Sequence, residues 1–190
     1  MEEKEIRLIR QAQRGEVAAF EQLVAQHDRQ VIKLAYYLLG NEHDAEDVYQ
    51  EVFLLVYRKL SSFKFKSSFA TWLNRVVVNY CVTYRNRRNR RKFDSLDSHV
   101  AAHENVWEPE TSLTSPESAA VSADLRCQIE QALTDLSEQQ RTVFVLRHFH
   151  GYKLQEIAEI MSCAEGTVKN YLFRATRQMQ KKLRFLNEEL

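Results

Sequence analysis

Glycine and proline are scarce in this chain, with four Gly and two Pro among 190 residues. These residues punctuate regular structure, so their scarcity predicts long uninterrupted helices. Both prolines, Pro109 and Pro116, fall in one stretch and mark a single major interruption. Cysteine is also rare: Cys81, Cys127 and Cys163 stand apart with no CxxC pair, which fits reduced thiols and excludes a disulfide framework. No apolar run approaches the roughly 20 residues that a membrane helix needs. The opening "MEEKEIRLIR" is charged from its second residue, unlike a secretory signal. Neither a phosphate-binding glycine loop nor a nucleophile–base pair is visible, so no enzyme activity is expected. These absences lead to the expectation of a soluble, cytoplasmic, non-enzymatic protein.

One further absence is local. Residues 93–124 contain no Lys or Arg and seven acids, whereas residues 1–92 hold 17 basic and 11 acidic residues and residues 125–190 hold 10 and 8. The overall charge of +1 therefore hides two basic lobes joined by an acidic strap. That pattern points to a polyanionic partner, and a strap of this sign also suits a basic surface of the free protein.

What is present is helical periodicity, supported by a hydrophobic content of 44% that suffices for packed cores. From Ala18, the residues Phe20, Leu23, Val24, His27, Val31, Leu34, Ala35 and Leu38 recur at helical spacing up to Gly40-Asn41, the usual helix terminators. A second helix starts at Asp44, with acids in its first turn, and runs to about Leu60. "SSFKFKSS" follows as a polar and aromatic loop, and a third long helix spans about Phe69 to Arg91, ending in the basic run "RNRRNRRK". Residues 93–121 lose periodicity and gain Ser, Thr, Pro and acids, a linker composition. Helical spacing resumes at Ala123–Leu136, and "SEQQ" at Ser137–Gln140 has capping-box spacing. The expected fold class is all-α: an N-terminal helical bundle (1–92), a flexible acidic linker (93–121) and a C-terminal helix-turn-helix domain (122–190).

The helix-turn-helix rests on a register. Two helices crossing at a tight turn need a small residue where backbones approach and apolar residues toward the shared core. Ala158 is the small residue, and Ile157, Met161, Cys163, Val168 and Tyr171 take the core-facing positions. Ser162 stands in the turn where glycine is usual, in a left-handed conformation that disfavours side chains. This register points Lys169, Asn170, Phe173, Arg174 and Arg177 outward from the second helix. Lys and Arg suit phosphates and guanine edges, and Asn suits adenine edges. The competing reading is a solvated amphipathic helix. For Cys163, a small buried hydrophobe competes with a redox sensor, and its position favours the former.

Two stretches of the N-terminal half carry chemistry. The second helix is expected to expose Phe53, Leu54 and Tyr57 beside Asp47, Gln50 and Glu51, an apolar and acidic mixture suited to a protein interface. The alternative is a fully internal helix of a bundle. "FKFKSSFATWLNRVVVNYCVTYRNRRNRR" interleaves Phe63, Phe65, Phe69, Trp72, Tyr80 and Tyr84 with Lys64, Lys66, Arg75 and the basic run. Aromatics beside cations hold unpaired bases, although several of these rings must serve the core, Phe69 and Trp72 being the ambiguous ones.

"DAEDVYQEVFLLVYRKL", then "FATWLNRVVVNY", then "LSEQQRTVFVLRHFHGYKLQEIAEIMSCAEGTVKNYLFRA" resembles, in order and spacing, the extracytoplasmic-function sigma factors of bacterial RNA polymerase. The resemblance covers about residues 15–90 and 125–185 and departs from the family pattern at Ser137-Glu138, where Pro is common, and at Ser162. It implies two helical domains that straddle a promoter on core RNA polymerase. Asp47, Gln50, Glu51, Phe53, Leu54 and Tyr57 would dock on the polymerase clamp. The Ser61–Ser68 loop (Phe63, Lys64, Phe65), with Trp72, Arg75 and Asn79, would open the minus-10 region by capturing a flipped base. Lys169, Asn170, Phe173, Arg174 and Arg177 would read the minus-35 element, and the acidic linker would run toward the RNA exit path. The resemblance further implies control by an anti-sigma factor, typically membrane-associated, and no cofactor, metal or small-molecule substrate.

Two rival readings have specific residues behind them. A stand-alone helix-turn-helix regulator accounts equally well for residues 125–190 but leaves the acidic–apolar helix and the aromatic–basic loop without a role. Metal binding would use His99-x-x-x-His103, which lies in the linker without partner cysteines, or His148-x-His150, which sits in a helix end; polar surface histidines are the simpler reading.

Overall fold

The computed structural model describes residues 3–94, 125 and 127–184, with side chains of the first segment described up to 88. Every regular element among them is a helix, as the all-α expectation requires. All but the first two residues of the expected linker, and with it His99 and His103, lie outside the described residues. The chain divides into two units, each with its own core.

The first unit is carried by α1 (Glu3–Gln13), α2 (Val17–Leu39), α3 (Glu42–Lys59), a short 3-10 turn (Leu60–Ser62) and α4 (Phe69–Asp94). Helix α1 was not anticipated. It is short and mostly charged, yet it packs Leu8, Ile9 and Ala12 onto α2. Helix α2 is central because it is apolar on more than one side, burying Ala19, Leu23, Val31, Leu34, Ala35 and Leu38 against α1, α3 and α4. Each fully buried Leu or Val contributes about 1.5–3 kcal/mol. It ends where Gly40 enters the left-handed region (φ 69°) and donates its N–H to the Tyr36 carbonyl at 2.7 Å. Asn41 then caps α3, its side chain accepting from the Asp44 N–H at 3.0 Å, so α3 begins two residues before the expected Asp44.

Helix α3 buries Ala45, Val48, Val52, Phe53 and Val56. Phe53 corrects an expectation: it is only 8% exposed, its ring against Tyr49 at 5.0 Å. The physical reason is register, since Phe53 precedes Val56 by three residues and joins the inner stripe. Helix α4 is capped by Ser68, whose Oγ accepts from the Thr71 N–H at 3.0 Å, and it buries Phe69, Leu73, Val77, Val78 and Cys81.

The C-terminal helices are α5 (127–134), α6 (Glu138–His148), α7 (Leu154–Met161) and α8 (Glu165–Leu183). Ser137 and Gln140 form the anticipated capping box, with reciprocal bonds of 3.4 and 3.2 Å. Gly151 (φ 69°) separates α6 from α7. Leu133, Leu136, Val143, Val145, Leu146, Ile157, Ile160, Val168, Ala175 and Met179 form the core. Arg141 is buried within it, 5% exposed. Its guanidinium donates to the carbonyls of Leu133 at 2.7 Å and Thr134 at 2.8 Å, closing the C-terminal end of α5 with a cation.

The turn between α7 and α8 places Ser162 at φ 55°, the left-handed conformation where glycine is usual. Ser162→Gly is therefore expected to stabilise the fold around this turn by about 0.5–1 kcal/mol, strain relief outweighing glycine's greater freedom in the unfolded chain. A thermal melt reads this as a higher midpoint; a lowered one would mean the serine is not strained.

Candidate nucleic-acid and protein interfaces

Asp47, Gln50, Glu51, Leu54 and Tyr57 recur at intervals of one helical turn, and all five are exposed on α3. Leu54 and Tyr57 are among the most exposed large apolar residues described, at 53% and 48%. With Phe53 turned inward, the stripe is acidic at its N-terminal end and apolar further along. Asp47, and Asp44 one turn before it, are tied to α4. Tyr84 donates to Asp44 at 2.9 Å and lies 3.4 Å from the Asp47 carboxylate, and Arg88 pairs with Asp44. Burial, then the carboxylates of Glu51 and Asp47, push the Tyr80 phenol above its ordinary value, against the opposing effect of Arg87. Tyr84 and Arg88 were not singled out in the sequence as partners of these acids. Their spacing along α4, four residues apart, carries the signal only once α3 and α4 are known to pack together.

The second surface joins the loop after α3 to the start of α4. Phe63 corrects another expectation. It is 4% exposed and sits among Phe65, Phe69 and Trp72, with ring centroids 4.9, 5.7 and 5.3 Å away. A ring so enclosed anchors the loop and is not free to stack on a base. Phe69 is likewise core, whereas Trp72 is half-buried. Phe65 is half-buried at φ 56°, a conformation costing a bulky residue about 1–2 kcal/mol. Lys64 and Lys66, on either side of it, are exposed. Trp72, Arg75 and Asn79 follow at helical spacing on α4, with Arg75 and Asn79 exposed. The structure thus brings together two partly open rings, three cations and one amide. That set is competent to stack bases, hold phosphates and read a base edge.

Two residues of this region were missed because α1 was missed. Gln13 donates its amide to the carbonyls of Leu60 and Phe63, both at 2.9 Å, and the Arg10 guanidinium lies 5.7 Å from the Phe65 ring centre.

The third surface is on α8. Lys169, Asn170, Phe173, Arg174 and Arg177 are all exposed and share one stripe. Phe173, at 68%, is the most exposed of the large apolar residues described. Val168 and Ile157 are fully buried, while Met161, Cys163 and Tyr171 are half-buried. Lys169 pairs with Glu165 one turn earlier at 2.8 Å, so it must exchange a carboxylate for any new anionic partner. Lys182 and Gln178 lock the far end of α8 to Asp135, at 2.7 and 3.0 Å. Burial raises the Cys163 thiol above its ordinary pKa, which suits packing better than redox reactivity. Burial, with Arg147 beside it, lowers His148 below its ordinary value, and no metal-ligand cluster occurs among the described residues.

Known protein families match both the N-terminal and the C-terminal helices. The Sigma-70 region 2 family matches residues 23–91, and the Sigma-70, region 4 family matches residues 128–179. The chain is 35% identical to the ECF RNA polymerase sigma factor SigW of Bacillus subtilis, over 94% of this chain and 96% of that protein. It is 33% identical to the RNA polymerase sigma-H factor of Pseudomonas aeruginosa, over 99% and 98%. Among solved structures, it resembles the sigma factor RpoE of Bartonella quintana, crystallised with the anti-sigma factor NepR. That match has 25% identity and a TM-score of 0.72, and covers 87% of this chain and 96% of the other.

Proposed function

The chain belongs to the extracytoplasmic-function sigma factors of the sigma-70 superfamily, and from that premise we propose how its surfaces divide the work of promoter use. As such a factor it is not an enzyme: it binds core RNA polymerase, directs it to specific promoters and assists DNA opening. A stand-alone helix-turn-helix regulator is set aside, because the region 2 match gives residues 23–91 a role that such a regulator leaves empty.

Residues 1–92 serve polymerase binding and minus-10 recognition, residues 122–190 serve minus-35 recognition, and residues 93–121 link them. In the first unit, Asp47, Gln50, Glu51, Leu54 and Tyr57 dock on the polymerase clamp, acids for complementarity and apolar groups for burial. Phe65 and Trp72 receive bases of the unpaired non-template strand, while Lys64, Lys66 and Arg75 hold its phosphates and Asn79 reads a base edge. Taking a base out of the stack costs a few kcal/mol, and stacking on an aromatic side chain returns about 1–3 kcal/mol per base. Phe63 contributes by holding the loop in place.

The observation that carries the minus-35 assignment is the single exposed stripe of Lys169, Asn170, Phe173, Arg174 and Arg177 on the second helix of the helix-turn-helix. Arg174→Ala should leave core polymerase binding intact and weaken minus-35-dependent transcription roughly tenfold, a base-edge contact being worth about 1–3 kcal/mol. In vitro transcription from a promoter and a minus-35-scrambled derivative measures this. Equal activity of Arg174→Ala and wild type on the intact promoter would overturn the assignment.

An anti-sigma factor completes the reading. Leu54 and Tyr57 are apolar surface that the free protein benefits from covering, and the structurally similar RpoE was crystallised with such a partner. We propose that this partner is membrane-associated and holds the factor at the inner membrane. No helix among the described residues is long and apolar enough to cross a membrane. Purification from unstressed native cells should bring down a membrane protein that Leu54→Asp fails to retain; recovery of the factor with no partner under all conditions would refute this.

A further inference from the structure

We infer that Gln13 is a positioning residue for promoter opening, an inference that rests on the minus-10 reading of the loop between Ser61 and Ser68. The loop has no regular structure between Phe63 and Ser68, and it must hold Phe65 in a left-handed conformation that few residues adopt unaided. Two contacts confine it. Phe63 plugs into the aromatic cluster below, and Gln13 grips the backbone at the base of the loop.

The grip has a definite chemistry. One amide group donates both its hydrogens, to the carbonyls of Leu60 and Phe63, each at 2.9 Å. A primary amide is among the few neutral groups that can satisfy two carbonyls at once. The two acceptors are the first residue of the 3-10 turn and the residue that follows it, so the bond pair fixes the angle at which the chain leaves α3. One turn earlier on α1, Arg10 lies 5.7 Å from the Phe65 ring centre, a cation–π distance. Gln13 therefore sets the backbone from which Phe65 projects, and Arg10 sets the direction of its ring. Of the side chains proposed to meet the unpaired strand, Lys64, Phe65 and Lys66 are held between Phe63 and Ser68. Helix α1, which carries no residue of the proposed DNA surface, acts on DNA through them.

The consequence is separable from folding and from polymerase docking. Gln13 is half-buried and remote in sequence from the α3 stripe, and its loss leaves the Leu8, Ile9 and Ala12 packing in place. The test uses holoenzyme assembled from core polymerase and the full chain, with a fluorescein-labelled fork-junction DNA. Its non-template minus-10 strand is unpaired, and its sequence comes from a promoter the wild-type factor uses. Gln13→Ala and Gln13→Met, the latter keeping length but losing both donors, should each weaken fork-junction binding roughly tenfold, the released loop holding its binding-competent conformation in only about a tenth of molecules while water satisfies the two freed carbonyls. Core affinity and the thermal midpoint should stay at wild-type values, a split that a merely structural role would not produce. Trp72→Ala serves as the reference. If Trp72→Ala loses binding while both Gln13 variants bind as wild type, the positioning role is wrong and the minus-10 reading stands. If Trp72→Ala also binds as wild type, the minus-10 reading itself fails. A fall in core affinity or midpoint matching the fall in fork-junction binding would reduce Gln13 to a structural residue and overturn the inference.

Discussion

Glu51→Arg is expected to lower affinity for core RNA polymerase about a hundredfold or more, leaving helical content and thermal midpoint unchanged. Glu51 lies midway along the exposed stripe that Asp47, Gln50, Leu54 and Tyr57 complete, so a proposed docking partner cannot avoid it. Reversing the charge replaces an attraction with a like-charge contact, which costs several kcal/mol across an interface. The fold tolerates the change because Glu51 is exposed and the core residues of α3 lie on its other side. Its carboxylate helps to raise the Tyr80 phenol, and a cation in its place works in the opposite sense. Glu51→Gln removes the attraction without creating repulsion and should lose only about tenfold. Titrating fluorescent core polymerase with each variant measures both. Wild-type affinity for Glu51→Arg would show that the docking face lies elsewhere.

The second large effect concerns stability. Arg141→Ala is expected to destabilise the C-terminal unit by about 3 kcal/mol, since hydrogen bonds from a charged group are worth about 1.5–3 kcal/mol and their acceptors stay buried. Loss of Arg141 leaves the Thr134 carbonyl without its guanidinium donor, leaves the Leu133 carbonyl with only the Leu136 N–H, and opens a cavity where the buried side chain stood. A unit of this size has only a few kcal/mol in total, so its melting midpoint should fall by more than about 10 °C. Arg141→Lys keeps the charge but not the two-pronged geometry and should recover less than half of the loss. Calorimetry on the three proteins decides: a midpoint unmoved in Arg141→Ala would mean water replaces the guanidinium without cost.

Arg141 also shows where sequence reading stops. In "SEQQRTVFVLRHF" it looks like one more surface charge, and its burial depends on α6 crossing the end of α5, a tertiary fact. The capping box one turn earlier was legible because its chemistry is local, as were the helix stop at Gly40 and the left-handed turn at Ser162. The α8 stripe was legible for a related reason: a register set by Val168 and Ile157 dictates which side chains point away. Phe53 and Phe63 were not. Each sits beside exposed neighbours in the sequence, and only packing decides which of several adjacent aromatic or apolar residues turns inward. Helix α1 escaped notice because its buried set is small and its remaining residues are charged. With it went Gln13 and Arg10, whose partners lie about fifty residues away in the chain.

The most direct test of the sigma-factor account is transcription of fragmented native genomic DNA by core polymerase, with and without this chain, followed by mapping of transcript 5′ ends. The account predicts a limited set of start sites that appear only with the chain and share upstream elements near minus 10 and minus 35. Start sites indistinguishable from those of core polymerase alone would contradict it.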